Sequence, residues 1–225
     1  MDLTTILLGA PVLLFSFVAH EYAHVYAALR QGDPTGYQLG RLTWNPLPHI
    51  DPFFSIVLPL MSLYFGNFIF GGAKPAPVVP RNFRHYKRGD IIVSLAGVTA
   101  NVAIGVVCGL LALLFGMLGA AVPAAGTTCA ILQQMALFGL VINFTLAAFN
   151  LLPIPPLDGS HVAKYLLPPA WAQQYERIGQ YGFLVLFLFL SFGRGLLVTW
   201  MTPAFAAIAT AERALAPYLL PTPWH

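Results

Sequence analysis

The chain has 225 residues, of which 58% are hydrophobic and only 8% charged, with a mean hydropathy of +0.73. A soluble domain carries about 25% charged residues, so this composition excludes a soluble globular protein and leaves no stretch polar enough for a separate soluble domain. The formal charge of +3 is small and its cations are bunched beside apolar runs, which reads as membrane orientation rather than nucleic-acid binding.

Residues 4–29 predict the first span, ended by Arg30, Gly32 and Pro34, with Pro11 placed to kink it. The apolar run continues straight into His20 and Glu21, so it is expected to stay in the protein rather than be removed as a leader. Within it lies His20-Glu21-Tyr22-Ala23-His24. Two histidines four apart leave the same face of a helix about one turn apart, and two neutral imidazoles so placed can grip one metal ion. Glu21 projects beside them, where a carboxylate could take a proton from water activated by that ion. Ionisable groups in hydrocarbon are costly and persist where they have a partner or a task.

Residues 31–50 are turn-rich, with Tyr37–Trp44 a candidate hairpin. His49 and Asp51 read as a polar cluster at a helix start, Asp51 capping a helix that opens at Pro52; additional metal ligands are the competing reading. Residues 52–70 are barely long enough to cross. The following Gly71-Gly72-Ala73-Lys74-Pro75-Ala76-Pro77-Val78 cannot be helix interior. It is either an extended edge on which an unwound substrate could pair as an added strand, or a surface loop. Residues 81–90 carry Arg81, Arg84, His85, Lys87 and Arg88, an orientation signal first and a headgroup-binding patch second.

Residues 91–118 predict a span rich in small residues that let helices approach closely. Asn101 is its polar exception, either an interhelical hydrogen bond or a group near the site. Residues 119–127 form a turn without charge. Residues 128–152 predict the next span, which runs into Asn150-Leu151-Leu152-Pro153-Ile154-Pro155-Pro156-Leu157-Asp158-Gly159. Among eight acidic residues, Glu21 and Asp158 are the two embedded in apolar sequence without basic neighbours. A buried lone carboxylate is strongly disfavoured unless paired or bound to metal. Asp158 is therefore expected to be the third protein ligand, giving His, His and Asp with one position open, the catalytic pattern of a single Zn2+; a helix cap is the competing reading. Cys108 and Cys129 make no metal-type pair. Residues 160–177 predict a short helix, 178–200 a last clear span, and 203–219 an interfacial helix or a further span.

For His20 and Asp158 to meet, the spans that carry them must end on one face of the membrane. Residues 91–118 and 128–152 already supply two crossings, so 52–70 should dip in and return. This puts Arg30, Arg41, Lys74, Arg81, Arg84, Lys87, Arg88 and Lys164 on one face, opposite the chargeless turn. The metal end then faces the cytoplasm. The fold expected is an all-α polytopic membrane protein, with a small membrane-associated β or re-entrant segment. It forms one domain over 1–225, with a core at about 4–165 and accessory C-terminal spans at 166–225.

The paired motifs His20-Glu21-Tyr22-Ala23-His24 and Asn150 through Gly159 resemble the site-2 protease family of intramembrane zinc metalloproteases, peptidase family M50. Gly71–Val78 and Ser94-Leu95-Ala96-Gly97 are also similar to family segments, and the likeness, over about residues 10–165, is to the small bacterial or archaeal branch without a PDZ domain. The resemblance implies a three-span catalytic core with zinc on His20, His24 and Asp158. It implies Glu21 as general base and later proton donor, and Asn150 as a substrate or oxyanion contact. The substrate it implies is a transmembrane protein segment, cleaved in the plasma membrane. Val98 stands where the family often has proline before its middle-span asparagine. The rival reading is a divalent-metal transporter using the His/Glu helix as an ion site. A transporter needs ligands along a whole route across the membrane, whereas here they collect at one depth.

Overall fold

In the computed structural model, which describes residues 3–51 and 74–222, the first apolar run is a single helix, α1 (Leu3–Gln31), continuous through Pro11. It stops where predicted. Gly32 takes φ +110°, and the Gly32 and Asp33 N–H groups donate back to Leu29 O and Ala28 O at 3.2 and 2.9 Å. This is the paired-bond helix stop that a residue without Cβ permits. The later helices are α2 (Thr35–Gln38), α3 (Tyr86–Ala121), α4 (Gly126–Asn150), α5 (Asp158–Ala163), α6 (Pro169–Gly179), α7 (Gly182–Phe192) and α8 (Arg194–Leu215). Helices α1, α3 and α4 are each long and apolar enough to cross a membrane, and α7 with α8 qualifies as one bent pair. Large apolar side chains on α3, among them Val106, Leu110 and Leu114, are exposed, as expected of a face turned to lipid.

Four expectations need correction or fall elsewhere. Tyr37–Trp44 is not a hairpin: α2 occupies its start, and no strand occurs among the described residues. Asp33 accepts the Thr35 N–H at 3.1 Å, and this side-chain turn leads the chain into α2 instead. Residues 178–200 are not one straight helix: the run is broken and bent at Gly193, and α8 absorbs most of the segment expected as a separate interfacial helix. The apolar run resumes directly after Arg194, which hides the break. The chargeless turn is shorter than expected, because α3 runs to Ala121 and α4 starts at Gly126. The dip at 52–70, and the helix that Asp51 was to cap, lie outside the described residues. Lys74–Val79 is irregular, with Lys74 N–H donating to His49 O at 2.7 Å and Val79 N–H to Asp33 Oδ2 at 2.7 Å.

The chain packs as two units. One comprises residues 1–16, 101–148 and 201–225. Its core joins Ala112, Ala136, Leu140, Ile208 and Leu215. Small residues do what their pattern predicts: Gly105 lies against Phe144, and Gly139 against Cys108 Sγ. Asn101 is fully buried here. Its Nδ2 donates to Asn143 Oδ1 at 2.8 Å, and Asn143 Nδ2 donates to Ser16 Oγ and Gly139 O, both at 2.8 Å. Asn101 therefore makes the interhelical hydrogen bond, one of its two readings. Gln133 ties down the C-terminal segment, donating to Ala112 O and Tyr218 O and accepting the Leu220 N–H.

The other unit comprises residues 17–100 and 149–200. One apolar cluster joins Ala27, Ala28, Phe83 and Val93; a second joins Leu152, Leu157 and Leu186 under the proline-rich stretch. Asp33 is buried and clamps two loops, accepting from Thr35, Val79 and Asn82. Burial would raise its pKa, but the hydrogen bonds from Thr35, Val79 and Asn82 outweigh that and hold it below the ordinary carboxylate value.

Candidate metal centre

The second half of α1 brings His20, Glu21 and His24 into the second unit with exposures of 7%, 9% and 7%. The helix sets the spacing of the histidines, and its neighbours set their orientation. His24 Nδ1 lies 2.8 Å from Val93 O, and a carbonyl can only accept, so Nδ1 carries the proton and Nε2 keeps its lone pair. That lone pair faces His20 Nε2, 3.0 Å away, with the two rings nearly perpendicular.

Asp158 arrives from far along the chain. Leu157, buried beside Leu152 and Leu186, is extended, and α5 begins on Asp158 itself. The Gly that follows is required by close approach: a Cβ on Gly159 would fall 2.1 Å from Leu151 O and 2.6 Å from Leu152 O. Asp158 Oδ2 lies 3.2 Å from His20 Nε2 and 3.3 Å from His24 Nε2, yet makes no hydrogen bond.

These three atoms fit a zinc ion. One ligand atom from each of His20, His24 and Asp158 lies within 4.8 Å of the others. Ligands placed tetrahedrally at the usual zinc distances of about 2.0–2.1 Å would stand about 3.3 Å apart, close to the 3.0–3.3 Å found here. Two neutral imidazoles and one carboxylate are also a donor set that zinc accepts. Glu21 Oε2 is buried beside this group and has no hydrogen-bond partner, so its acceptor capacity is unspent.

Of the other sequence candidates, His49 is buried and outside the group, its Nε2 donating to Thr43 O at 3.0 Å. Asp51 is likewise outside the group. Asn150 is half-buried on the last turn of α4.

Sequence reasoning missed the wall behind the histidines. Gly97 on α3 touches both rings, and a Cβ there would fall 2.5 Å from His24 Nε2 and from His20 Cε1. It also missed a buried charged cluster in the same unit. Asp90 on α3, 3% exposed, pairs with Lys164 Nζ at 2.7 Å, accepts the Tyr165 hydroxyl at 2.8 Å and lies 3.3 Å from His161 Nδ1. Lys164 also reaches Glu176 at 3.1 Å. Burial would lower the Lys164 pKa, but Asp90 and Glu176 outweigh it and hold the ammonium above its ordinary range. Burial and the Asp90 carboxylate push the Tyr165 phenol up in the same way. The only sequence signal for this cluster is an acidic residue at the start of a span, masked by Arg88 two positions earlier.

Comparison with known proteins agrees with this chemistry. The model of peptidase family M50 matches residues 52–192, a stretch that holds Asn150 and Asp158 and begins downstream of the two histidines. The chain is 35% identical to the Bacillus subtilis (strain 168) protein named "Putative zinc metalloprotease YwhC", over 84% of this chain and 82% of that one. It is 32% identical to Rip2 of Mycolicibacterium smegmatis, which carries the same description, over 79% of this chain and 64% of that longer protein. It is 35% identical to MJ0611 of Methanocaldococcus jannaschii, again so described, over 46% of this chain. No solved structure matches. These relatives lend the transporter reading no support. The chain belongs to peptidase family M50 and is an intramembrane zinc metalloprotease.

Proposed function

We propose that His20, His24 and Asp158 hold the catalytic zinc, that Glu21 is the general base, and that Asn150 contacts the substrate. The observation that carries this reading is the convergence of His20 Nε2, His24 Nε2 and Asp158 Oδ2 within 4.8 Å of one another. When bound, zinc supplies Lewis-acid chemistry, acidifying water and polarising the scissile carbonyl. Glu21 accepts a proton from the attacking water and returns it to the amide nitrogen that leaves. Its carboxylate suits that task, being buried with an oxygen that no hydrogen bond engages. The Val93 carbonyl keeps His24 in the tautomer a metal ligand needs.

The substrate in this proposal is a transmembrane segment, because spans as apolar as α1, α3 and α4 belong in lipid. A helical substrate hides its carbonyls in hydrogen bonds, so it must unwind before Glu21 can serve it. Residues 1–225 act as one protease domain, with a core at about 4–165 and accessory segments at 166–225. Its seat is a bacterial or archaeal plasma membrane, with the metal end toward the cytoplasm, and charge supports that orientation. Labelling of cysteines introduced at Gly40 and His85 checks it: the two must react from the same side.

Purified chain in detergent, loaded with zinc and given a transmembrane peptide, tests the roles. Glu21→Gln should lose about 10²–10⁴-fold in cleavage rate, the range for a general base, and keep its zinc. Undiminished cleavage by that variant overturns the base assignment, and zinc flux into liposomes without cleavage would favour a transporter.

A further inference from the structure

Asp158 stands on weak ground for a ligand. It opens a helix of only six residues, Asp158–Ala163, and enters from the irregular stretch after Asn150. So short a helix has no stability of its own, so whatever fixes Asp158 relative to the histidines must come from outside α5. The second unit offers one such feature. His161, Lys164 and Tyr165 follow Asp158 at helical spacing and return to the same face. All three converge on the buried Asp90 carboxylate, at 3.3, 2.7 and 2.8 Å. The Lys164 ammonium also lies over the Tyr165 ring, 5.0 Å from its centroid.

Asp90 belongs to the stretch of α3 that holds the histidines. Val93 O takes the His24 Nδ1–H, and Gly97 lies against atoms of both imidazoles. Two turns of one helix, residues 90–97, therefore touch both histidines directly and the carboxylate's helix through Asp90. Ser94 Oγ, donating to Asp90 O at 2.8 Å, braces the same turn.

We propose that Asp90 is a positioning residue of the zinc site: by fixing His161, Lys164 and Tyr165 to α3 it sets the distance of Asp158 from His20 and His24. The inference rests on the ligand assignment above. A buried ion pair is weak evidence for stability. What Asp90 contributes is direction, since three donors on the α5 side reach a single carboxylate.

The test is zinc affinity of the full chain in detergent, measured by competition with a chelator, alongside helix content by circular dichroism. Asp90→Asn keeps the volume and removes the charge. It should weaken zinc binding by about 10–100-fold, the usual cost of losing a group that orients a ligand, with helix content unchanged. In an Asp158→Ala background, which leaves only the two histidines, the same substitution should change affinity by no more than about twofold, as expected when its effect runs through residue 158. Tyr165→Phe removes one hydrogen bond to Asp90 and should give a smaller loss, again confined to the Asp158 background. It decides the matter if Asp90→Asn does not fold.

Unchanged affinity in Asp90→Asn, or in a folded Tyr165→Phe that must decide alone, overturns the proposal. Equal losses in both backgrounds do so too, by showing that Asp90 serves the whole unit. If Asp158→Ala alone leaves affinity unchanged, the ligand assignment falls and the role of Asp90 falls with it. If Asp158→Ala weakens binding and Asp90→Asn does not, only the role of Asp90 falls.

Discussion

Each unit of the protein buries a polar centre built from α1 and later helices, and the two centres are finished differently. In the first unit, Ser16, Asn101 and Asn143 are all but inaccessible, and their groups close on one another through hydrogen bonds of 2.8 Å. In the second, His20, His24 and Asp158 crowd together, while Asp158 Oδ2 and Glu21 Oε2 are buried without a hydrogen bond. Burial of polar groups in an apolar chain therefore does not identify a site. A centre whose donors and acceptors pair off is structure; a centre that gathers acceptors and leaves them open is a place for a cation and for protons.

Removing a ligand gives the sharpest test of that contrast. Asp158→Ala should lose more zinc affinity than the ~10–100-fold typical of groups that only support a ligand, and cleavage should fall with it. Metal content after dialysis against a chelator, read beside peptide cleavage, checks this. Full zinc occupancy after such dialysis would remove Asp158 from the site.

Gly97→Ala comes next. Helix propensity alone predicts a gain of about 0.8–1.0 kcal/mol from replacing a mid-helix glycine by alanine. The geometry predicts harm to the site, because the new methyl would fall 2.5 Å from ring atoms of both histidines. The expected result is a zinc affinity about tenfold weaker, with a melting temperature that does not fall in proportion. A variant that binds zinc as the natural chain does would mean that the two rings have room to retreat.

Asn143→Leu probes the other centre. It takes the closer of two acceptors from the Asn101 amide and a donor from Ser16 Oγ and Gly139 O. Stranded buried groups cost about 1–3 kcal/mol, to be read as a lower melting temperature in detergent. Zinc affinity should be unchanged. A variant that loses zinc without losing stability would erase the distinction between the two centres.

The candidate metal group of His20, His24 and Asp158 was legible where its logic is local or where a residue made no sense otherwise. Covalent spacing alone puts His20 and His24 on one face of α1, and the long apolar lead-in to Asp158 left that carboxylate without an ordinary explanation. Asp90 failed the same screen because Lys87 and Arg88 stand beside it in sequence. Its actual partner is Lys164, and proximity along the chain says nothing about which cation a buried acid selects. Gly97 was legible only as one small residue among many, since its role depends on which side chains lie opposite. Helix limits were legible at Gly32, where a glycine closes α1, and illegible at Gly193, where the apolar run resumes after a single Arg194. Loop structure at 37–44 was misread because its turn residues suggested a hairpin, while the Asp33 bond to Thr35 N–H, which turn composition does not report, leads the chain into a helical turn.

The smallest expected effect concerns Asp33, a carboxylate of the second unit that clamps two loops. Thr35, Val79 and Asn82 satisfy its oxygens, so its charged form is favoured in the folded protein and its pKa lies below the ordinary 3.8. The unfolded chain therefore takes up this proton first as pH falls, and stability then drops. The contribution of Asp33 is fully present well above pH 3.8 and is lost as pH falls through the lowered folded-state value. Asp33→Asn cannot titrate. It should be modestly less stable at neutral pH, and the gap to the natural chain should narrow below about pH 4, where the natural residue is itself losing its charge. Thermal unfolding in detergent from neutral pH downward measures that gap. A gap constant with pH would mean that the loop clamp at Asp33 does not depend on charge.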